Sequence, residues 1–241
     1  MKSDYKEFNL KESVERINEL IESRESRFTE LEGIPARNTL TFTNGFYVKC
    51  SVLSVDIRVQ SEDADFYSNL GNLLLYRACV SEVTAVMNGN EKCAEINVVG
   101  NFVCGVFNTP WSEDVDEVFT TAAKISSVVD GINLKFKKTG LGELTVGLGL
   151  SYGKALLVKT GNRGSGFTDF VWMGDAVKEA ATLASYGNKE STDRETMVSE
   201  IFHYNLNEQN KKLLTLNPTR NCYHGDIVNS YITNWYKQNC P

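Results

Sequence analysis

The sequence contains little of what metal sites, disulfide frameworks and membrane spans require. It has only two histidines, and its six cysteines are scattered without a C-x-x-C pair. This spacing argues against a zinc site or a disulfide framework. We expect the cysteines to behave as small apolar side chains, and His203 and His224 to be structural. No apolar segment follows Met1, so we expect neither a signal peptide nor a transmembrane helix.

An excess of positive charge is also absent. Lysine and arginine number 25 against 31 aspartates and glutamates, which gives a net charge of −6 and a pI of about 5.1. This balance argues against broad binding to nucleic acids or anionic membranes. With four prolines and no repeat or low-complexity tract, the 241 residues fit one cytoplasmic globular domain that can bury a proper core.

Hydrophobic periodicity predicts a mixed α+β fold. The core is expected to run in the order strand, helix, hairpin, helix, hairpin, which is typical of a ferredoxin-like βαββαβ core with its helices on one face of the sheet. The predicted units are a strand over Phe46 to Ile57, a helix over Tyr67 to Met87, a hairpin over residues 95–107, a helix from Ser112 and a strand pair, Leu144 to Tyr152 and Lys154 to Lys159, about Gly153.

Extra strands and helices extend this core at both ends. We expect an N-terminal extension over residues 1–45 with an amphipathic helix from Leu10 to Phe28, a core over residues 46–190, and a C-terminal extension over residues 191–241 that completes the same domain. In the helix over Tyr67 to Met87, the residues expected to face inward are Leu70, Leu74, Ala78, Val83 and Val86. The later elements are expected to be a strand over Thr168 to Trp172, a helix over Asp175 to Ala184, and short strands over Val198 to Tyr204 and Cys222 to Ile227.

An acidic residue closes the first strand of the predicted core. The apolar run that starts at Ser51 leads to Asp56, and the following hairpin turns at Gly100-Asn101. A carboxylate at the end of a buried strand is costly unless it is paired or holds a cation. The pattern therefore favours a magnesium or manganese site that faces a triphosphate. The structural alternative is that Asp56 accepts hydrogen bonds from nearby backbone N–H groups.

Several motifs follow one another along this core. Asp56, Gly100-Asn101, Gly149 to Gly153 and Trp172 to Val177 together resemble the class III nucleotidyl cyclases, and the resemblance covers about Phe46 to Ser185. Within that group the chain most resembles the pyrimidine cyclases of Pycsar bacterial antiphage defence. This narrower resemblance depends on Val55 to Arg58, Met87 to Asn90, Glu95 to Gly100, Val106 to Pro110, Val171 to Asp175, Ser185 to Asn188 and Cys222 to Asp226.

The resemblance implies an intramolecular reaction. The ribose 3′-hydroxyl of a nucleoside triphosphate attacks the α-phosphate, and pyrophosphate leaves a 3′,5′-cyclic nucleotide. Two Mn²⁺ or Mg²⁺ ions per site would assist, one at the hydroxyl and one at the triphosphate. By the same resemblance the chain would be a homodimer with two sites at the interface. Its product, cyclic UMP or cyclic CMP, would act on a separate effector.

Asp56, Ile57 and Asn101 are the metal positions that the resemblance implies. Asp56 would bridge both ions and Ile57 would supply its backbone carbonyl. The family has Asp where this chain has Asn101, and a neutral amide is a weaker ligand for a hard dication. The chain is then a slow cyclase, a manganese-dependent one, a protein that binds nucleotide without turnover, or a form in which Asn replaces a native Asp. We predict that Asn101→Asp raises turnover.

The positions that resemble the base-reading residues of purine cyclases are Thr145 and Val171. Neither side chain can make the charged contact to a purine edge, which favours UTP or CTP as substrate. A purine cyclase with an unusual pocket is the competing interpretation. Tyr47, early in the first strand, is a candidate to stack on a pyrimidine ring, against the ordinary alternative that it packs in a core or interface.

Cations near the expected site have two interpretations each. Lys178 and Thr182 occupy the positions of the family's transition-state Asn and Arg. Lys178 is a candidate to offset developing charge at the α-phosphate, or is an ordinary surface lysine, whereas Thr182 cannot replace an arginine. Arg58 either contacts phosphate or is a solvated cation.

The stretch Gly161 to Gly166 lacks a Lys-Ser/Thr pair and a following helix, so we expect a hairpin tip and not a P-loop. Trp172 is expected to serve in packing.

Overall fold

The computed structural model describes residue 5 and residues 7–22, 28–60, 70–161 and 168–240. A single mixed sheet, helices on its two faces and a 3₁₀ turn at Arg37–Thr39 make up this part of the chain. The elements are α1 Leu10–Glu22, β1 Phe28–Leu31, β2 Gly45–Gln60, α2 Leu70–Asn88, β3 Cys93–Val99, β4 Phe102–Asn108, α3 Ser112–Lys137, β5 Glu143–Gly161, β6 Thr168–Met173, α4 Asp175–Tyr186, β7 Thr196–Val198, α5 Glu200–Asn205, α6 Glu208–Lys211, β8 Thr215–Asn217, β9 Cys222–Gly225 and α7 Ser230–Asn239.

The predicted ferredoxin-like core is confirmed. The sheet order is β3-β4-β2-β5-β7-β9-β8, with β1 beside β2 and β6 beside β5. Its first four strands are antiparallel neighbours, and α2 and α3 pack on one face of them. Leu53, Val55 and Ile57 point toward these helices and are buried. We call this side the helix face. The opposite side, with Val52 and Asp56, we call the site face because successive strand residues alternate between faces.

The predicted strand pair about Gly153 is wrong. Residues 143–161 form one continuous strand, and Gly153 lies opposite Cys50 in an unbroken antiparallel ladder. Neither a turn nor close packing requires glycine at this position, because a Cβ atom at Gly153 would make an ordinary 3.6 Å contact with the Cβ of Ala176 on α4. The reversal of direction occurs between β5 and β6. The proposed tip, residues 162–166, lies outside the described residues.

Three other element predictions needed correction. Phe28 begins β1 and does not end α1. The strand predicted over Val198 to Tyr204 is mostly helix: residues 200–205 form α5, whose N-terminus is capped by the Ser199 hydroxyl, which accepts from the Phe202 N–H. In α2 the inward residues are shifted. Leu70 and Leu74 are 69% and 46% exposed, and the buried apolar side chains are Leu75, Cys79, Val83 and Met87.

The glycine and alanine residues on β5 and α4 bring that helix unusually close to the sheet. A Cβ atom at Gly149 would lie 2.1 Å from the Ala180 carbonyl oxygen, and one at Gly147 would lie 2.0 Å from that of Ala184. No larger side chain fits without moving the helix. α4 therefore lies directly on the site face. None of the helices in the described ranges is both long and apolar enough to cross a membrane.

Candidate active site

Asp56 and Asn101 meet at one corner of the site face, as predicted. The β3–β4 hairpin turns at Gly100, whose φ of 57° lies in the left-handed region that favours glycine. The Ile57 N–H donates to the Asn101 carbonyl at 2.9 Å, which fixes the turn beside β2. The Asn101 side-chain amide donates to Asp56 Oδ1. We call Asp56, Ile57, Arg58 and Asn101 the acid corner.

Burial makes the Asp56 carboxylate a poor place for an uncompensated charge. The side chain is 6% exposed, and desolvation raises its pKa above the usual value, while the charges of Arg58 and Lys189 act in the opposite direction. Arg58 Nε lies 3.3 Å from Asp56 Oδ2. The corner thus holds a partly buried carboxylate that a cation would stabilise.

Arg58 contacts other parts of the chain. Its guanidinium turns back over the sheet and donates to the carbonyl of Gly187 and, at 3.4 Å, to that of Asn188. It is therefore not a freely solvated cation, and two of its N–H groups are engaged by backbone. Thr145, a predicted base-reading position, pairs with Arg58 across the ladder, and its hydroxyl lies 3.5 Å from the Arg58 carbonyl oxygen.

The remaining predicted residues lie away from this corner within one chain. Tyr47 precedes Asp56 by nine residues on β2, so it lies about 30 Å away and on the helix face. There it contacts Phe28 and Lys154. Val171 on β6 pairs with Val158, beside the start of β2. Lys178 is exposed on α4, on the side opposite the alanines that contact β5.

Trp172 does more than pack. Its indole N–H donates to Glu95 Oε2 at 2.9 Å, and Arg37 approaches the same oxygen at 3.4 Å. These residues line a cavity of about 460 Å³ on the site face, between β3, β6 and the loop that contains Arg37. Sequence reasoning missed Glu95 and Arg37, because no motif spacing links a strand carboxylate to a loop cation 58 positions earlier.

The acid corner fits a divalent cation of the kind that the sequence predicts. Asp56 offers a carboxylate and Asn101 an amide oxygen, which a half-turn of the amide would direct inward. Both are hard oxygen donors of the type that magnesium and manganese prefer. In the described ranges no group of three His, Cys, Asp or Glu side chains is placed to hold a metal. A small donor set is usual where substrate phosphates and water complete the coordination.

Comparison with solved structures identifies the fold. The fold resembles that of the guanylyl cyclase Cya2, with a TM-score of 0.57 and 15% identity over 72% of this chain and 83% of that one. It also resembles a bacterial light-regulated adenylyl cyclase, with a TM-score of 0.60 and 16% identity over 95% and 67% of the two chains. At these identities the likeness shows the fold alone, which is that of the class III nucleotidyl cyclases.

Curated relatives are considerably more similar in sequence. A uridylate cyclase of Gulbenkiania mobilis is 33% identical over 99% of this chain and 100% of its own length. A uridylate cyclase of Treponema porcinum is 31% identical over 98% and 81%. No protein-family model matches the chain. The chain belongs to the nucleotidyl cyclase family of these two proteins, as the sequence resemblance predicted.

Proposed function

We propose that this protein is a uridylate cyclase that converts UTP to 3′,5′-cyclic UMP and pyrophosphate. The observation that carries the proposal is the full-length similarity to two uridylate cyclases, at 33% and 31% identity. The acid corner supports it, because Asp56, on a central strand of a cyclase-type sheet, is in contact with Asn101 at the adjacent hairpin turn. A purine substrate is disfavoured by Thr145 and Val171, which offer no charged partner to a purine edge.

Residues of the chain would position the metal ions and the nucleotide. Asp56 on β2 and Asn101 in the β3–β4 turn present oxygen ligands, and the backbone carbonyl of Ile57 is a third candidate ligand. When bound there, two Mn²⁺ or Mg²⁺ ions would polarise the ribose hydroxyl and the triphosphate. Lys189, whose charge reaches Asp56, adds a cation at the mouth of the corner. Such a cation favours an anionic substrate.

The active site is proposed to form between two copies of the chain. Lys178 and Thr182 lie on the exposed side of α4, and Tyr47 and Val171 lie toward the other end of the β2–β5 ladder. Tyr47 lies about 30 Å from Asp56 along β2, and the exposed side of α4 faces away from β5. A head-to-tail homodimer would bring the acid corner of one copy to the α4 surface of the other, which supplies Lys178 for charge stabilisation.

The cellular role follows from the resemblance to Pycsar cyclases. We propose that the cyclic nucleotide is a signal in the cytoplasm during antiphage defence and acts on a separate effector protein. The acidic composition, with a net charge of −6, supports a small-molecule substrate over nucleic acid or an anionic membrane.

A second candidate function is nucleotide binding without turnover. It is favoured by Asn101, which removes one negative charge from the metal site, and by Thr182, which replaces a cation. The two functions differ in one measurable property, because a binding protein would form a metal-dependent complex with UTP and release no pyrophosphate.

The test is to incubate the protein with each of the four nucleoside triphosphates and Mn²⁺ and to resolve the products. Cyclic UMP as the main product supports the proposal. A main product of cyclic CMP would revise the base, and cyclic AMP would overturn the pyrimidine assignment. UTP binding without any product, if it persists in Asn101→Asp, would establish the second candidate.

A further inference from the structure

Arg58 occupies a position from which it can control the geometry of Asp56. We propose that Arg58 is a positioning residue that fixes the direction of the Asp56 carboxylate, and that the backbone carbonyls after α4 hold Arg58 in turn. The inference rests on the proposed function, which gives Asp56 its role as a metal ligand. It extends that function by naming a residue that orients a metal ligand without binding the metal itself.

The carboxylate has a hydrogen-bond donor at one oxygen and an ion-pair partner at the other. Asp56 Oδ1 accepts from the Asn101 amide, and Oδ2 lies 3.3 Å from Arg58 Nε. Asp56 is 6% exposed, so water has little access to replace either contact. Residues that orient a metal ligand in this way normally influence metal affinity as strongly as some ligands do.

The sheet makes room for the guanidinium at a glycine. Gly147 lies directly opposite Asp56 on β5. A Cβ atom there would come within 2.5 Å of Arg58 Nη2. Arg58 thus passes over Gly147 to reach the carbonyls of Gly187 and Asn188. Its two ends are anchored by an acid on β2 and by the backbone that follows α4.

The segment that receives Arg58 is itself constrained. Asn188 has a φ of 51°, in the left-handed region, and its side-chain amide donates to the Val146 carbonyl at 3.0 Å. A Cβ atom at Gly187 would lie 2.3 Å from the Glu195 carbonyl oxygen and 2.7 Å from the Gly147 Cα. The two carbonyls that hold Arg58 are therefore fixed to β5 and to the residue that precedes β7.

This geometry also explains why Arg58 is a weak candidate for a phosphate ligand. A guanidinium that binds a triphosphate needs its paired N–H groups free to face the ligand. Here both terminal nitrogens donate to backbone carbonyls away from the hairpin turn, and Nε faces Asp56. Arg58 acts through the carboxylate.

The first test is an NMR measurement on the metal-free protein. The Asn101 side-chain amide donates to Asp56, so its ¹⁵N–¹H resonance, assigned by its loss in Asn101→Asp, reports the carboxylate's position. Arg58→Gln should shift this resonance toward that of a solvated amide. Arg16→Gln is the matched control, because it removes the same charge from a surface pair with Glu12 on α1, and it should leave the resonance unchanged.

The second test adds Mn²⁺ alone and measures paramagnetic broadening of the same resonance. Arg58→Gln should require roughly 10–100-fold more Mn²⁺ for equal broadening, as expected for loss of a group that orients a ligand. Arg58→Lys should be intermediate, because an ammonium can pair with Asp56 but cannot bridge two carbonyls in a fork. An unshifted amide resonance with Mn²⁺ affinity within about twofold of wild type in Arg58→Gln would overturn the proposal.

If Arg58→Gln does not fold, Asn188 provides an independent route. Both Asn188→Ala and Asn188→Gly lose the bond to Val146, but only alanine is strained in the left-handed conformation. The alanine variant should shift the Asn101 resonance more than the glycine variant, and equal shifts would contradict the proposal. None of these readouts uses UTP. Failure to make cyclic UMP would thus defeat the proposed function without affecting the result for Arg58.

Discussion

At the scale of single residues, the acid corner joins a carboxylate to a neutral amide where a pair of acids would repel each other without metal. The Asn101 amide donates to Asp56, so the metal-free corner is satisfied by a hydrogen bond. This arrangement stabilises the protein without a cation but provides one formal charge fewer to attract it. If the corner holds a cation as proposed, Asn101 lowers the affinity for that cation and stabilises the metal-free state.

Asn101→Asp should raise metal affinity and lower the stability of the metal-free protein. We expect turnover with Mn²⁺ to rise by about tenfold or more, because ligand charge controls affinity for hard dications. The metal-free variant should melt at a lower temperature than wild type, since two carboxylates then face each other. Steady-state rates and melting curves with and without Mn²⁺ check both effects. Asn97→Asp, on the neighbouring strand β3, is the matched control. Equal or lower turnover in Asn101→Asp would reject the metal role of the position.

A second residue-scale feature is the partly buried acid that immediately precedes β7, Glu195. Burial raises the pKa of Glu195 from 4.5 to about 7, reinforced by the charges of Asp130 and Asp226 and opposed by hydrogen bonds from Ser126 and Asn188. Because the folded protein binds this proton more tightly than the unfolded chain does, its stabilising effect is complete below pH 4.5 and is lost as pH rises through 7.

Glu195→Gln should remove this pH dependence. Between pH 4.5 and 7 the free energy of unfolding of wild type should fall relative to that of the variant by on the order of 1–3 kcal/mol. Urea unfolding at several pH values measures the difference. Glu190→Gln, an exposed change on the nearby turn, should keep the wild-type profile. A difference between wild type and Glu195→Gln that does not vary with pH would show that Glu195 titrates normally.

At the scale of elements, the contact between α4 and β5 sets the position of everything that follows the helix. The two elements touch through small residues, and the turn that holds Arg58 begins where α4 ends. A shift of the helix away from the sheet would therefore move the support of the acid corner as well.

Gly149→Ala should force such a shift. The new Cβ would lie 2.1 Å from the Ala180 carbonyl oxygen, and overpacking of this kind costs about 1–3 kcal/mol. Gly153→Ala is the matched control, since its Cβ would make an ordinary 3.6 Å contact with Ala176. The control should be neutral or stabilised by up to about 1 kcal/mol. Urea unfolding distinguishes them, and similar free energies for the two variants would contradict the close contact.

Sequence patterns located most elements but not the contacts that decide their details. The β3–β4 hairpin and its turn were predictable because Gly100-Asn101 separates two apolar runs. The inward face of α2 was mispredicted because Leu73, Leu74, Leu75 and Tyr76 are apolar all round the helix, so periodicity cannot choose among them. The strand through Gly153 was broken in error, since a glycine inside a continuous strand and one needed for a turn look alike in sequence.

The same limit applies to the site. The proximity of Asp56 and Asn101 was predictable because the first core strand and the following hairpin turn adjoin in a ferredoxin-like sheet, although β2 continues past the predicted strand end to Gln60. The partners of Arg58 were not, because Gly187 and Asn188 contribute backbone carbonyls 129 and 130 positions away. Side-chain identity carries no signal for such a contact. The assignments of Lys178, Tyr47 and Val171 remain predictions, which depend on a second copy of the chain.

At the scale of the whole molecule, the candidate site residues divide into two groups. The acid corner and Thr145 lie at one end of the β2–β5 ladder, while Tyr47 and Val171 lie at the other, with Lys178 on the outer side of α4. If a twofold dimer joins the corner of one copy to α4 of the other, each copy contributes a different half to each site.

Mixing two inactive variants should then restore activity. Asp56→Asn and Lys178→Ala each inactivate both sites of their own homodimer, but a mixed dimer keeps one intact site. Random exchange of subunits should recover about a quarter of the parent turnover, measured with the Asn101→Asp protein as parent. Asp56→Asn mixed with Arg58→Gln is the control, because both changes fall in the acid corner and a mixed dimer then has no unaltered site. Absence of recovery in the first mixture, or full activity of Lys178→Ala alone, would contradict the shared site.

The central ladder also imposes an order on biosynthesis. Strand β2 meets β4 through Asp56 and Phe102, 46 positions apart, but meets β5 through Asp56 and Gly147, 91 positions apart. A nascent chain can therefore close the first pairing long before the second, since short loops close at a smaller entropic cost. Until β5 leaves the ribosome, one edge of β2 stays unpaired and open to pairing with other chains. Synthesis that stalls before residue 143 would leave an aggregation-prone intermediate.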